Sequence, residues 1–372
     1  MKLVSIFASL LICSQVVAQV NQPQLINWFV GADVVGVSNS EKDLPNDFSV
    51  REFEISAFSN IDHIWQGNLT LSMHNDIGSN EEAHVDIHEA FIFSNQAIEG
   101  MNLKFGRFFL GFGRLNRFHR HDWAIAYAPM YHQEFFGEEA VKDDGAEVSK
   151  LLLDDFYLNL TVGITTGKTF KDQHDHDHEE EAEEEERVNA LTPTHYVRLS
   201  SFTEFSTQMG LEYGLNYIGR IDPEKNSFQY AGFDLVFKNR VNKYFQDLFQ
   251  MEIWQRNQKE AGEASYAQDL GAYAFYQRGF DQNHALGLRI DWYKPHNHEE
   301  EEAESGHDHG TEIDDEYTEI GLVYSYTNSE FMRTNITLAQ SQGLVIDEEE
   351  VTNTKLFLQT VFTIGAHPAH LY

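Results

Sequence analysis

Between Phe205 and Ile218 the odd and even positions have opposite characters. Thr207, Met209, Leu211, Tyr213, Leu215 and Tyr217 make one set, and Gln208, Gly210, Glu212, Gly214 and Asn216 make the other. Successive side chains of a strand point to opposite faces, so the pattern predicts a strand with one greasy face and one small, polar face. A run of about ten residues crosses a bilayer when tilted. The same alternation recurs in Leu286, Leu288, Ile290 and Trp292 against Gly287, Arg289, Asp291 and Tyr293. It recurs again in Leu158, Leu160, Val162 and Ile164 against Asn159, Thr161 and Gly163.

Sixteen such segments are predicted. They run from Asn27 to Val37, Ser49 to Phe58, Ile64 to Asn75, Val85 to Ser94, Met101 to Phe109, Gly145 to Lys150, Phe156 to Thr165 and His195 to Phe202. The second half comprises Phe205 to Ile218, Ser227 to Lys238, Gln246 to Arg256, Ser265 to Gln277, His284 to Tyr293, Asp315 to Tyr326, Phe331 to Gln340 and Thr354 to Ile364. Their connectors alternate in length. Asn60 to His63, Asp154-Asp155, Thr203-Glu204 and Asn328-Ser329 are tight, whereas Leu110 to Asp144, Thr166 to Thr194 and Lys294 to Asp314 are long. Short turns at one end and long loops at the other are the arrangement of an outer-membrane barrel, and a soluble sandwich has no reason to segregate them. The expected fold is therefore an all-β transmembrane barrel of about 16 antiparallel strands, with both termini on the periplasmic side. Charges such as Arg289 and Asp291 on the inward set then require a wet lumen.

The N-terminus agrees with export. Lys2, an apolar run from Leu3 to Ile12 and the small-residue site Val16-Val17-Ala18 form a secretory signal peptide over residues 1–18, too short to span. Cys13, the sole cysteine, lies within it, so a chain cleaved after Ala18 has no disulfide. No later stretch has the roughly 18 consecutive apolar residues that a membrane helix needs. The 13% aromatic content with a mean hydropathy of -0.45 suits a polar-lined, aromatic-belted barrel. A formal net charge of -34 argues against nucleic acid and anionic surfaces and points to cations.

Two of the long loops concentrate candidate ligands. One carries His174, His176 and His178 among Asp175, Asp177 and the glutamates 179–186; the other carries His296, His298, His307 and His309 among Glu299 to Glu302 and Asp308. Glutamates alone are what a solvated acidic loop carries. Seven of the eighteen histidines fall here, however, and imidazole beside carboxylate suits zinc and related divalent ions. Without the cysteines of a structural zinc site, such metal binds transiently, and no fixed cofactor is required.

The connector from Leu110 to Asp144 is a second candidate. It holds Arg114, Arg117, His119, Arg120, His121 and Asp122, then His132, Glu134 and Asp143-Asp144. Folded into the barrel, it would constrict the pore, with Arg114, Arg117, Arg120, Asp122 and Glu134 setting selectivity. His119, His121 and His132 with Asp122 would form an inner metal station. The alternative is a lid packed on the rim through Trp123, Tyr127 and Phe135. A third, weaker candidate is the tail, with His367 and His370. A hydrolase is the remaining class; His195 and His284 border strands without an evident nucleophile, so no reaction is expected.

Gly106-Arg107-Phe108-Phe109, His119-x-His121-x-Trp123, Ala128-Pro129, Asp143 to Val148 and the ending Ile364 to His370 resemble the zinc-regulated outer-membrane receptors or porins. The match covers about fifty residues plus the tail, and Arg120 stands where that pattern has proline. The resemblance implies a barrel expressed for zinc acquisition. Members are sometimes described as TonB-dependent receptors, which need a plug inside about 22 strands. Only Gln19 to Ile26 precede the first expected strand, so no plug domain is expected. The leading expectation is a channel for divalent metal, most of all zinc. A general cation-preferring porin and a TonB-type gated receptor are the alternatives, and a homotrimer in outer-membrane lipid is an arrangement open to each.

Overall fold

In the computed structural model, the described residues are 25–75, 77, 84–153, 156–168, 193–222, 225–242, 245–262, 265–296, 312–346 and 349–365. The expected signal segment, the tail histidines and the ligands His174, His176, His178, His298, His307 and His309 lie outside them.

Sixteen antiparallel strands close into one barrel. In order they are β1 (Asn27–Asn39), β2 (Asp47–Asn60), β3 (Gln66–His74), β4 (His84–Ser94), β5 (Met101–Phe109), β6 (Lys142–Leu153), β7 (Leu158–Thr165) and β8 (Thr194–Ser206). The circuit continues with β9 (Met209–Ile221), β10 (Ser227–Arg240), β11 (Gln246–Lys259), β12 (Ala267–Gly279), β13 (His284–Lys294), β14 (Glu312–Ser329), β15 (Met332–Ile346) and β16 (Glu349–Gly365). Each strand pairs with its neighbours in sequence, and β1 pairs with β16 from Phe29↔Gly365 to Asn39↔Lys355, which leaves no open edge. The strand ends that lead into the long connectors after β5, β7 and β13 all lie at one end, whereas the turns at 61–65, 207–208, 280–283 and 330–331 lie at the other. No separate plug domain is present among the described residues.

The alternation fixes which face meets lipid. Leu215 is 58% exposed and Asn216 beside it 6%. Leu286, Leu288 and Ile290 point out, whereas Arg289 and Asp291 are buried inside. With the strands paired in ladders around a closed barrel, an outward apolar surface can face hydrocarbon.

The expected boundaries are shifted at several strand ends, most of all where β15 runs on to Ile346 and β16 starts at Glu349, in place of the expected Gln340 and Thr354; two further shifts have identifiable reasons. The turn after β8 falls at Thr207-Gln208, not Thr203-Glu204, because the ladder continues to Ser206↔Met209 past an irregularity after Glu204. The reading of Phe205 to Ile218 as one strand is therefore corrected: Phe205 and Ser206 end β8, and β9 begins at Met209. Strand β6 begins at Lys142 rather than Gly145, so Asp143 and Asp144 belong to the wall. Arg107 holds Asp144 through two hydrogen bonds of 2.9 and 3.2 Å, and Asp143 accepts from the Thr166 hydroxyl and the Gly167 N–H. Those bonds extend the ladder to Phe109↔Lys142 and shorten the connector to 110–141.

Candidate functional site

The 110–141 segment folds into the lumen. It contains one turn of 3-10 helix (Arg120–Asp122) and one short helix, α1 (Met130–Phe136). Phe112, Trp123, Tyr131 and Phe135 are buried against wall residues Tyr230, Trp254 and Tyr273, giving the barrel an apolar core inside it. This excludes a lid on the rim. It also corrects the expectation of a simply wet lumen, because here aromatic rings replace water. Small inward residues make room for the rings. At Gly271 of β12 a Cβ would come within 2.0 Å of Tyr131 Cβ, so any larger residue would push α1 away.

Wall polar groups then hold the segment's backbone. Arg333 donates to the carbonyls of His121 and Trp123, Arg51 to Ala126, Arg289 to Tyr127 and Arg256 to Glu134. Four arginines thus satisfy carbonyls that an irregular buried segment would otherwise leave unpaired. Glu252 accepts from the backbone of Arg114 and Leu115 and from Tyr131 Oη and Trp254 Nε1, at 2.5 to 2.9 Å.

Of the constriction candidates, Arg117 and Arg120 face carboxylates of the wall, whereas Arg114 and Asp122 make contacts within the segment. Arg117 lies 2.8 Å from Glu212, and Arg120 lies 3.7 Å from Glu52. Arg114 stacks over Phe118, and Asp122 lies 3.7 Å from His121 Nε2. Glu134 contributes its carbonyl to Arg256. In place of the expected field between a basic and an acidic half of the segment are contacts to the wall and, for Arg114 and Asp122, contacts within the segment.

His119 and His121 come together, with ring centroids 5.3 Å apart, and meet wall groups that the sequence pattern did not single out. His119 Nδ1 lies 2.8 Å from Glu54 and its Nε2 3.2 Å from Glu89; His121 Nδ1 lies 3.3 Å from the other Glu54 oxygen. Burial disfavours a charge on His119, yet Glu54 and Glu89 hold its pKa well above the ordinary histidine value. Behind His119, His88 stacks at 6.0 Å and His74 stacks on His88 at 4.4 Å, giving a row of four imidazoles. Glu52 and Glu139 border the row.

Two β-bulges aim these groups. Strand β2 gains Arg51 between the pairs Asp33↔Glu52 and Val34↔Val50, and β4 gains His88 between Thr70↔Glu89 and Leu71↔Ile87. Each extra residue turns two successive side chains inward, Arg51 with Glu52 and His88 with Glu89. The sequence carries a trace of the second bulge. Val85 and Ile87 point out on odd positions, but Ile92 points out on an even one, so the phase must break between them.

His132 does not join this group. It is buried among Trp123, Tyr131 and Phe136, and donates from Nδ1 to the Gly137 carbonyl at 3.0 Å. Burial lowers its pKa to about 4, below the ordinary value near 6.5. Because the folded value is depressed, the unfolded segment binds the proton first. Docking stability is full above pH ~6.5 and falls as pH drops toward 4, by on the order of 3 kcal/mol. Proteolysis of the segment in the folded barrel should therefore rise across that window, and His132→Asn should flatten the profile. An unchanged slope in His132→Asn would contradict the assignment.

Of the remaining candidates, His296 is described and its backbone N–H donates to Asp269 at 2.7 Å. His284 Nδ1 lies 2.6 Å from Tyr324 Oη, and His195 stacks near Tyr217. Two cavities lie between the segment and the short-turn end. The larger, of about 1690 Å³, is lined by His119, His121, Glu54, Glu89 and Arg117 and reaches Asn60 and Gln208 at the turns; the other, of about 310 Å³, runs from Arg114 to Asp281.

The closed barrel has counterparts among solved structures. The anion-selective porin of Comamonas acidovorans superposes with a TM-score of 0.58 at 9% identity, covering 92% of this chain and 100% of its own. A loop-deletion form of the Vibrio cholerae outer membrane protein OmpT gives 0.57 at 8%, with the same coverage, and the outer membrane channel DcaP of Acinetobacter baumannii gives 0.55 at 8%, covering 92% and 97%. The chain has the fold of an outer-membrane porin. An uncharacterized Aquifex aeolicus protein is 24% identical over 357 residues, covering 90% of this chain and 72% of that one. No family model matches. With its lipid-facing band, the porin fold places this barrel in the outer membrane of a Gram-negative cell.

Proposed function

We propose that this barrel is an outer-membrane channel that admits divalent metal cations, zinc first among them. The carrying observation is that His119 and His121, backed by Glu54 and Glu89, form part of the wall of the 1690 Å³ lumen cavity. Once an incoming ion displaces the proton that Glu54 and Glu89 favour on His119, imidazole and carboxylate are donors that borderline divalent ions prefer over water, and lumen groups that bind weakly and repeatedly favour passage. The resemblance of residues 106–109, 119–123 and 143–148 to zinc-regulated receptors supports the same reading. The acidic His-rich stretches, including His174, His176, His178, His296, His298, His307 and His309, would collect the ion at the mouth. No reaction is proposed.

A second reading has its own observation. Lys104, Arg117 and Arg198 line the same cavity as Glu147, Glu204 and Glu212, a mixed field that suits a general porin. Deleting Gln173 to Arg187 together with His296 to His309 separates the two. Growth should fail only under zinc limitation if the stretches gather metal, and unchanged growth there would sink the metal reading. One V. cholerae OmpT structure is of a trimer form, which supports a homotrimer as the assembly.

A further inference from the structure

Three strands of the wall and one point of the inward segment converge on one set of metal-ligating groups. Glu52 comes from β2, His74 from the end of β3, His88 from the bulge in β4 and Glu139 from the segment just before β6. One donor atom from each lies within 4.8 Å of the others. Nε2 of His74 faces Nε2 of His88, and Glu139 Oε2 stands 3.5 Å from that same His88 nitrogen. Two imidazole nitrogens aimed at one another need a shared proton or a cation between them.

The surroundings favour the cation. His88 uses its other nitrogen, Nδ1, toward Glu54 Oε1 at 3.1 Å. A carboxylate behind the far nitrogen fixes the tautomer and raises the basicity of a metal-bound histidine. Carboxylate oxygens are also left over: Glu52 Oε2 and Glu139 Oε1 are buried with no hydrogen-bond partner, and Glu54 Oε2 has only the His121 Nδ1 contact at 3.3 Å. Glu52 is 1% exposed, and its nearest ion pair, to Arg120, is at 3.7 Å. Leaving buried carboxylate oxygens unsatisfied is costly, and a divalent ion satisfies several at once.

We propose that His74, His88, Glu52 and Glu139 hold a divalent transition-metal ion that fastens the inward segment to the β2–β4 wall, with Glu54 as the positioning residue behind His88. Two imidazoles and two carboxylates form a four-ligand set of the zinc class. Ligands about 2 Å from one ion sit about 3.4 Å from each other, so the set closes with side-chain movements of about an ångström. Lys142, 3.1 Å from Glu139, and Arg120 border the site and neutralise the oxygens that the ion does not engage. This deepens the reading of the lumen as a metal path and rests on it only for the ion's class; the site is resident, whereas transported ions pass.

The test uses cobalt(II) as the probe on the mature chain refolded in detergent. The seven histidines of the outer stretches are replaced by asparagine to remove their signal. One equivalent of cobalt should still give the strong visible absorption of a four-coordinate site, and zinc should displace it. His88→Ala should abolish the band, and Glu54→Gln should weaken binding by about 10- to 100-fold while keeping the band's shape. Where His88→Ala fails to fold, as judged by heat-dependent gel mobility, Glu139→Gln on the segment takes its place. No band with the outer histidines removed, or an unchanged band in His88→Ala or Glu139→Gln, overturns the site. Zinc flux through the same preparations reports transport separately: a band without flux overturns only the transport reading, and flux without a band overturns only the site.

Discussion

Replacing Glu252 by leucine is expected to release the inward segment and raise single-channel conductance. Glu252 is 1% exposed and accepts four hydrogen bonds, two from the segment's backbone, one from Tyr131 and one from Trp254. Leucine has a similar volume, so the wall itself changes little, but four buried donors lose their acceptor. At about 1–3 kcal/mol for each unsatisfied group, even partial compensation leaves several kcal/mol against the docked state. The segment should become cleavable between residues 110 and 141 while the strands stay protected. Glu252→Gln, which keeps one oxygen acceptor, should fall between. A leucine variant with wild-type conductance and a protected segment would show that the aromatic core alone holds the constriction.

The second large effect is expected at Arg289. Its guanidinium grips Asp291 through Nε at 2.9 Å and through a second contact to the other carboxylate oxygen, stacks over Tyr127 at 4.2 Å and donates to the Tyr127 carbonyl. Glu319 has further partners in Tyr127, Tyr317 and Lys355, but Asp291 depends on Arg289. Arg289→Met therefore strands a buried carboxylate, and removing one partner of a buried pair costs about 3–5 kcal/mol. Urea unfolding of the barrel in lipid should show that loss, and the double variant Arg289→Met/Asp291→Leu should recover most of it. A double variant as unstable as the sum of its singles would contradict the pairing.

The barrel was legible in the sequence because its determinant is local. A period-two pattern such as Leu286 to Tyr293 names the lipid face directly, and the connector lengths name the two ends of the barrel. The turn at Thr207-Gln208 was misplaced because Phe202, Thr203, Glu204 and Phe205 offer no clean alternation there. The site was half legible. His119 and His121 announce themselves by spacing within an unusual connector, whereas His74, His88, Glu52 and Glu54 sit in different strands and meet only when the barrel closes. His88 carries the clearest lesson. Its inward direction depends on a bulge, and that bulge shows in the sequence only as the phase change between Ile87 and Ile92. His132 is the converse case, because its spacing matches the other loop histidines but the aromatic core takes it away from them. The arginines that hold the segment's carbonyls, Arg51, Arg256, Arg289 and Arg333, carried no signal beyond being charges on an inward face.

Divalent-metal passage by way of the lumen histidines is what we propose for this porin-fold barrel. The most direct measurement is zinc entry into liposomes containing the purified barrel and an internal zinc-sensitive dye, compared with magnesium entry under the same gradient. Zinc should enter faster than magnesium, and His119→Ala with His121→Ala should bring the two rates together. Equal rates in the unaltered protein, or a zinc preference that survives loss of both histidines, would contradict it.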